Sequence, residues 1–185
     1  SRVLDPHDRD SMIYADGAGA TILDIEDPQG GSILSHASET HSFEEAHFLF
    51  FGCSYKQDAP KNEKYIKMYG RKIYEFAVTH VPVAMQKCLD ASGYNIGDLK
   101  KIFIHQANEK MDAAIVKRFY RQYKTPVPEG IMPMNIHEFG NSSVATVPTL
   151  FDMVKRGQLE GHEIKKGDIV MFASVGAGMN INAFV

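Results

Sequence analysis

The sequence predicts an α/β fold, a layered arrangement of strands and helices, and three observations carry that reading. Apolar residues between about Asn62 and Ser92 recur at three- and four-residue steps, which marks an amphipathic helix. Ile102, Phe103 and Ile104 form a short β-prone run that gives way at once to polar residues, as a buried strand does at its end. Ile169 to Ala173 and Asn180 to Val185 are two more β-prone runs, separated by a glycine-rich turn. Elements alternating in this way bury their apolar faces by stacking in layers.

Taken in order, Met12 to Ile25 reads as β-structure around Asp16-Gly17-Ala18-Gly19-Ala20, where a glycine pair permits close backbone approach. Asp27-Pro28-Gln29-Gly30-Gly31 reads as a turn. From Gly31 to about Asn62 no period is visible, and the segment is expected to be a loop-rich insertion covering a cleft. The long helix follows, with Pro82 expected to kink it and Ser92-Gly93 to end it. The strand at Ile102–Ile104 leads to His105, and a helix is expected from about Asn108 to Tyr123. Beyond a proline-bearing loop, Ser142 or Ser143 is expected to cap a helix that Gly157 stops, with Pro148 either in its first turn or at a local kink.

Composition narrows the function. With 20 Lys and Arg against 23 Asp and Glu the net charge is −3, so no basic nucleic-acid arm is expected. No stretch has the roughly 20 apolar residues that span a bilayer. Two cysteines, Cys53 and Cys88, are too few for a disulfide framework, and a reducing cytoplasm fits them. His36, His41 and His47 among Glu39, Glu44 and Glu45 lack the spacing of a metal motif, so no metal is expected. The pairs Gly17/Gly19 and Gly176/Gly178 lack the third glycine of a dinucleotide fingerprint and read as close backbone packing or N–H presentation.

Two segments place a polar side chain where apolar structure ends. In Ile104-His105-Gln106-Ala107-Asn108 the histidine follows a buried strand, the usual location of ligands in α/β proteins. In Phe139-Gly140-Asn141-Ser142-Ser143 the asparagine precedes a helix. A third feature is a basic stripe on the second helix: Lys110, Lys117, Arg121 and Lys124 share one side, opposite Met111, Ile115, Phe119 and Tyr123. Such a stripe is either a solvated face or a docking surface for an acidic partner.

His105-Gln106-Ala107-Asn108 and Gly140-Asn141-Ser142-Ser143-Val144-Ala145-Thr146-Val147-Pro148, preceded by Asp16-Gly17-Ala18-Gly19-Ala20 and closed by Val175-Gly176-Ala177-Gly178, resemble the C-terminal half of 3-oxoacyl-(acyl-carrier-protein) synthase III, a condensing enzyme of the thiolase-like fold. Met68-Tyr69-Gly70-Arg71-Lys72-Ile73-Tyr74 is similar too. The resemblance implies an acyltransferase of fatty acid synthesis with a layered mixed sheet, joining an acyl thioester to malonyl-ACP. A related secondary-metabolite condensing enzyme and a noncatalytic partner of the same fold are the alternatives.

By the same resemblance His105 and Asn141 are the catalytic side chains that assist decarboxylation, and the N–H of Ala177 is an oxyanion donor, where the family commonly has glycine. A neutral His105 would turn a donating nitrogen to the substrate. Gly70 and Asn108 match substrate-binding positions, and Lys110, Lys117 and Arg118 match positions that dock the acyl carrier protein. The reaction needs no cofactor, since acyl-CoA and malonyl-ACP are substrates, and the full-length enzyme is expected to be a homodimer.

Neither cysteine fits the family's nucleophile, which precedes the Asp-Gly-Ala-Gly-Ala strand. The chain is therefore expected to be a C-terminal fragment, inactive alone. Residues 1–28 are expected to be the last strands of the N-terminal half, 29–62 the insertion, and 63–185 the C-terminal thiolase-like domain.

Overall fold

The computed structural model describes residues 3–23 and 31–185. Four strands form the main sheet, in the spatial order β1-β6-β5-β4. β4 (Leu99–Ile104) and β5 (Ile169–Gly176) are parallel, with Ile104 opposite Ala173. β6 (Asn180–Phe184) returns antiparallel to β5, and β1 (His36–Thr40) closes the edge antiparallel to β6. A separate two-stranded ribbon joins β2 (Leu49–Gly52) to β3 (Tyr65–Met68).

Strand alternation sends side chains to two cores. Ile102 and Ile104 of β4, Met171 and Ala173 of β5, and Ile181 and Ala183 of β6 face a core closed by α1 (Gly70–Ser92) and α2 (Glu109–Gln122). Phe103, Val170 and Phe172 face the other way, against Leu150 and Val154 of α4 (Thr146–Lys155). A one-turn α3 (Ile136–Phe139) lies between α2 and α4 in the chain. The second face of β6 and β1 carries polar pairs instead, Ser38 Oγ to Asn182 at 2.8 Å and Thr40 Oγ1 to Asn180 at 2.7 Å.

Several expectations change. Of the β-structure expected over Met12–Ile25, residues 24 and 25 lie outside the described residues, and the rest holds a single parallel bridge, Tyr14 with Asn141, after a 3-10 turn at Arg9–Ile13. Its backbone bonds a loop, and no strand among the described residues lies beside it. Of the turn expected at Asp27–Gly31, only Gly31 lies within the described residues. The segment 31–62, expected to be loop-rich, contains β1 and β2. The long helix begins at Gly70, because Tyr65–Met68 pairs with β2 and is strand.

Pro82 sits within α1, which continues through it. A proline has no N–H, so the carbonyl of Val78, four residues earlier, loses its helical donor. Arg118 Nη1 of α2 supplies one at 3.0 Å. The guanidinium expected to dock a partner is thus engaged in joining the two helices, while Lys110 and Lys117 are exposed with no ion pair among the described residues.

Asp112 on α2 is fully buried, and neither carboxylate oxygen has a hydrogen-bond partner among the described residues. Burial pushes its carboxyl up to about 8. Between the unfolded value of about 3.9 and pH 8 the folded state holds a proton that the unfolded chain releases, so stability falls as pH rises through that window. Replacing Asp112 by Leu is expected to stabilise the chain by about 3 kcal/mol at pH 7 and to flatten that slope, read by urea unfolding at several pH values. Equal slopes in the two proteins would contradict it.

Candidate active site

A cavity of about 830 Å³ opens at the carboxyl ends of β4 and β5, and His105, Asn141 and Ala177 all line it. Most of its remaining wall is apolar, including Met68, Ile73, Met111, Phe151 and Phe172. Each polar group reaches the cavity for a local reason. The N–H of His105 donates to the Ala173 carbonyl at 2.8 Å, extending the β4–β5 ladder by one bond and fixing the imidazole at the strand end. Burial lowers the imidazole to about 4, opposed by a backbone contact with Ser143, so the ring is neutral at pH 7.

Asn141 is held by the loop that carries it. Gly140 has φ +63° and ψ −167°, a region open essentially to glycine alone, and an added Cβ would lie 3.0 Å from Ala15 Cβ. The turn presents the Asn141 N–H to the Ile13 carbonyl at 2.8 Å and its C=O to the Ala15 N–H at 2.9 Å. The Asn141 Oδ1 accepts from the Ser143 N–H at 2.9 Å, which leaves the Nδ2 hydrogens as the side chain's free donors.

Gly17 and Gly19 act through close packing: a Cβ on the first would lie 2.7 Å from Ser142 Cβ, and on the second 2.5 Å from Pro148 Cγ. The glycine-bearing strap therefore lies directly on the loop that positions Asn141. Gly140→Ala is expected to cost about 1–3 kcal/mol of stability through the strained backbone, measured by thermal melts.

Ala177 sits in the turn between β5 and β6, where its carbonyl accepts from Asn180 Nδ2 at 2.9 Å. The positive φ of this turn falls on Gly178, at +120°, and Ala177 keeps a backbone any L-residue can adopt. Gly70 and Asn108, expected to bind substrate, do not line the cavity. Gly70 starts α1, and Asn108 caps α2, its side chain accepting from the Met111 N–H at 3.2 Å. Their neighbours Ile73, Ala107 and Met111 form the wall instead.

Neither cysteine lines the cavity. Cys88 is buried, 3.4 Å from Ser35 Oγ. Cys53 is exposed, and its thiol lies below its usual range because Lys64 Nζ donates to it at 3.0 Å, a neighbour the spacing did not reveal. No group of three or more His, Cys, Asp or Glu side chains among the described residues could hold a metal ion. None of the described helices is long and apolar enough to cross a membrane.

Beside α2 a second concavity of about 810 Å³ runs along the 125–132 loop, with Lys117, Arg121 and Lys124 at its edge. Sequence reasoning passed over Gln106, Ser143 and Thr146. Gln106 is fully buried and ties the end of β4 to the segment before α3, donating to the Pro133 carbonyl at 3.1 Å and accepting from the Asn135 N–H at 3.0 Å.

A mixed sheet between helical layers, with an imidazole and a carboxamide lining one cavity at its strand ends, defines a thiolase-like α/β protein. Residues 89–185 match the family model described as 3-oxoacyl-acyl-carrier-protein (ACP) synthase III, C terminal, and the chain belongs to that family. Beta-ketoacyl-acyl-carrier-protein synthase III of Microcystis aeruginosa is 31% identical over 97% of this chain and 53% of its own length. The Levilactobacillus brevis protein of the same name is 27% identical over 100% of this chain and 55% of its own length. The crystal structure of 3-oxoacyl-(acyl carrier protein) synthase III from Pseudomonas aeruginosa superposes with a TM-score of 0.81 at 25% identity, covering 98% of this chain and 53% of that one. The chain spans about half the length of the curated relatives it matches.

Proposed function

We propose that this chain is the C-terminal half of a condensing enzyme that joins an acyl thioester to malonyl-ACP by decarboxylative Claisen condensation in fatty acid synthesis. The observation that carries the reading is that His105 and Asn141, distant in sequence, line one largely apolar cavity. Loss of CO₂ from a malonyl thioester leaves an enolate, and a donor already in place in a dry site stabilises its oxygen without reorganisation. Asn141 Nδ2 supplies such a donor, its Oδ1 being engaged by Ser143. The N–H of Ala177 is suited to the acyl oxyanion on the same cavity.

The nucleophilic cysteine of this reading belongs to the part of the relatives that the chain does not span. On its own the 185-residue chain is expected to form no acyl-enzyme on incubation with an acyl-CoA, as read by intact mass, and stoichiometric acylation would contradict that. The coding sequence before Ser1 is the sharper test: a cysteine among small residues, in a protein that releases CO₂ from malonyl thioesters, supports the enzyme. Its replacement, with no CO₂ released, supports the noncatalytic partner.

Lys110 and Lys117, both exposed on α2 and the second of them lining that concavity, are proposed to dock the acyl carrier protein, an acidic partner. Reversing both charges to Glu should slow association at low salt and flatten its salt dependence, and an unchanged on-rate would rule the surface out.

A further inference from the structure

The hydrogen bonds behind His105 have a direction. Nδ1 of the imidazole lies 2.8 Å from Thr146 Oγ1, and that oxygen lies 2.8 Å from the Ser143 carbonyl oxygen. A carbonyl oxygen only accepts, so the single hydroxyl proton of Thr146 is committed to Ser143. Thr146 then faces the ring with a lone pair, and the proton in the remaining short contact belongs to Nδ1.

We infer that Thr146, anchored on the Ser143 carbonyl, holds His105 as the Nδ1–H tautomer and so leaves Nε2 to the cavity as a proton acceptor. Thr146 is thus a positioning residue, acting through His105. The assignment rests on the reading of this cavity as a thioester site only for its consequence in catalysis, because the tautomer follows from the geometry alone. It reverses the expectation that a neutral His105 turns an N–H toward the substrate.

Ser143 ties the two cavity side chains together. Its φ of +56° puts a non-glycine residue in the left-handed region, a conformation that costs about 1 kcal/mol and clusters at functional sites. In that conformation its N–H holds Asn141 Oδ1 while its C=O takes the Thr146 proton. One strained residue therefore orients both groups, and they are opposite in character: Asn141 offers hydrogens, and neutral His105 offers a lone pair. His105 becomes a donor at Nε2 only after it has taken up a proton there. The low proton affinity that burial gives the ring agrees with a neutral acceptor at rest.

The test is spectroscopic, on the chain itself labelled with ¹⁵N-histidine, with His105 assigned by its absence in a His105→Gln variant. The expected spectrum shows a protonated, pyrrole-type Nδ1 and an unprotonated, pyridine-type Nε2 for His105. Thr146→Val should turn this into a mixture or a reversal, and Thr146→Ser, which keeps the hydroxyl, should restore it. A pyridine-type Nδ1 in the parent chain, or a spectrum indifferent to Thr146→Val, overturns the inference. In the protein that carries the nucleophile, Thr146→Val should lower kcat for malonyl-thioester decarboxylation by about 10- to 100-fold, and Thr146→Ser should regain most of it. Failure of the parent protein to decarboxylate, with the Nδ1–H spectrum intact, would remove the functional reading and leave the tautomer standing.

Discussion

Asn141→Asp, made in the protein that includes the nucleophile, is expected to lower the rate of CO₂ release from a malonyl thioester by at least about 100-fold. The change is nearly isosteric. Its Oδ1 can still accept from the Ser143 N–H, so the loop at Gly140–Ser143 keeps its anchor. What changes is the group aimed into the cavity, where an NH₂ donor becomes an anionic oxygen facing the enolate oxygen that forms as CO₂ leaves. Asn141 is buried, so little water intervenes to screen that repulsion. Because the lost interaction belongs to the transition state, kcat should fall far more than KM rises. Thermal melts of the parent and variant control for folding, and a kcat within about threefold of the parent would remove Asn141 from the chemistry.

The second large effect is on stability, at the ribbon that carries Met68 into the cavity wall. Lys67 of β3 is 2% exposed, with Nζ 2.6 Å from Asp5 Oδ2, 2.8 Å from Asp8 Oδ2, and 3.7 Å from the centre of the Tyr55 ring. Asp5 also accepts from Ser54 Oγ and from the N–H groups of His7 and Tyr55. Burial alone would raise its carboxyl, but Lys67 and these donors outweigh it and hold it well below the carboxylate range. Lys67→Met leaves two buried carboxylates without their cation and is expected to cost about 3–5 kcal/mol in urea unfolding. Adding Asp5→Asn and Asp8→Asn to Lys67→Met should return part of the loss.

The pH dependence of this cluster has two limbs. Asp5 has a depressed folded value, so its stabilisation is present above the unfolded value of about 3.9 and is lost as pH falls toward the folded one. Lys67 lies above its ordinary value, so its stabilisation is present below about 10.4 and is lost as pH rises through the folded one. A Lys67→Met protein as stable as its parent across this range would show that the cluster contributes nothing.

What the sequence made legible follows the range of the interactions involved. β4, His105 at its end, and α2 were readable because each has a local signal, an apolar β-prone run in one case and a 3.6-residue period in the other. β1 was not, because His-Ala-Ser-Glu-Thr has no apolar alternation and becomes a strand only by pairing with β6 at the other end of the chain. β3 was absorbed into the helix ahead of Gly70 because Ile66 falls in step with Ile73, and its pairing with Phe51 is visible only in three dimensions.

The site divides in the same way. His105 and Asn141 stood out as polar residues at element ends, whereas Thr146 and Ser143 matter through a shared carbonyl and a positive φ that no local pattern encodes. Arg118 matched a carrier-protein docking position, and its bond to the Val78 carbonyl had no local signal, because that carbonyl is left vacant by the missing N–H of Pro82 on a different helix. Gly70 and Asn108 matched motif positions, yet their roles here are to start α1 and to cap α2.

The most direct measurement titrates the protein with a malonyl thioester analogue that cannot lose CO₂, following the Asn141 side-chain NH₂ and the His105 ring by ¹⁵N spectroscopy. The account predicts that both sets of signals move along one saturation curve with one Kd, because both groups line the same cavity. Movement of only one of them, or of neither at saturation, would contradict it.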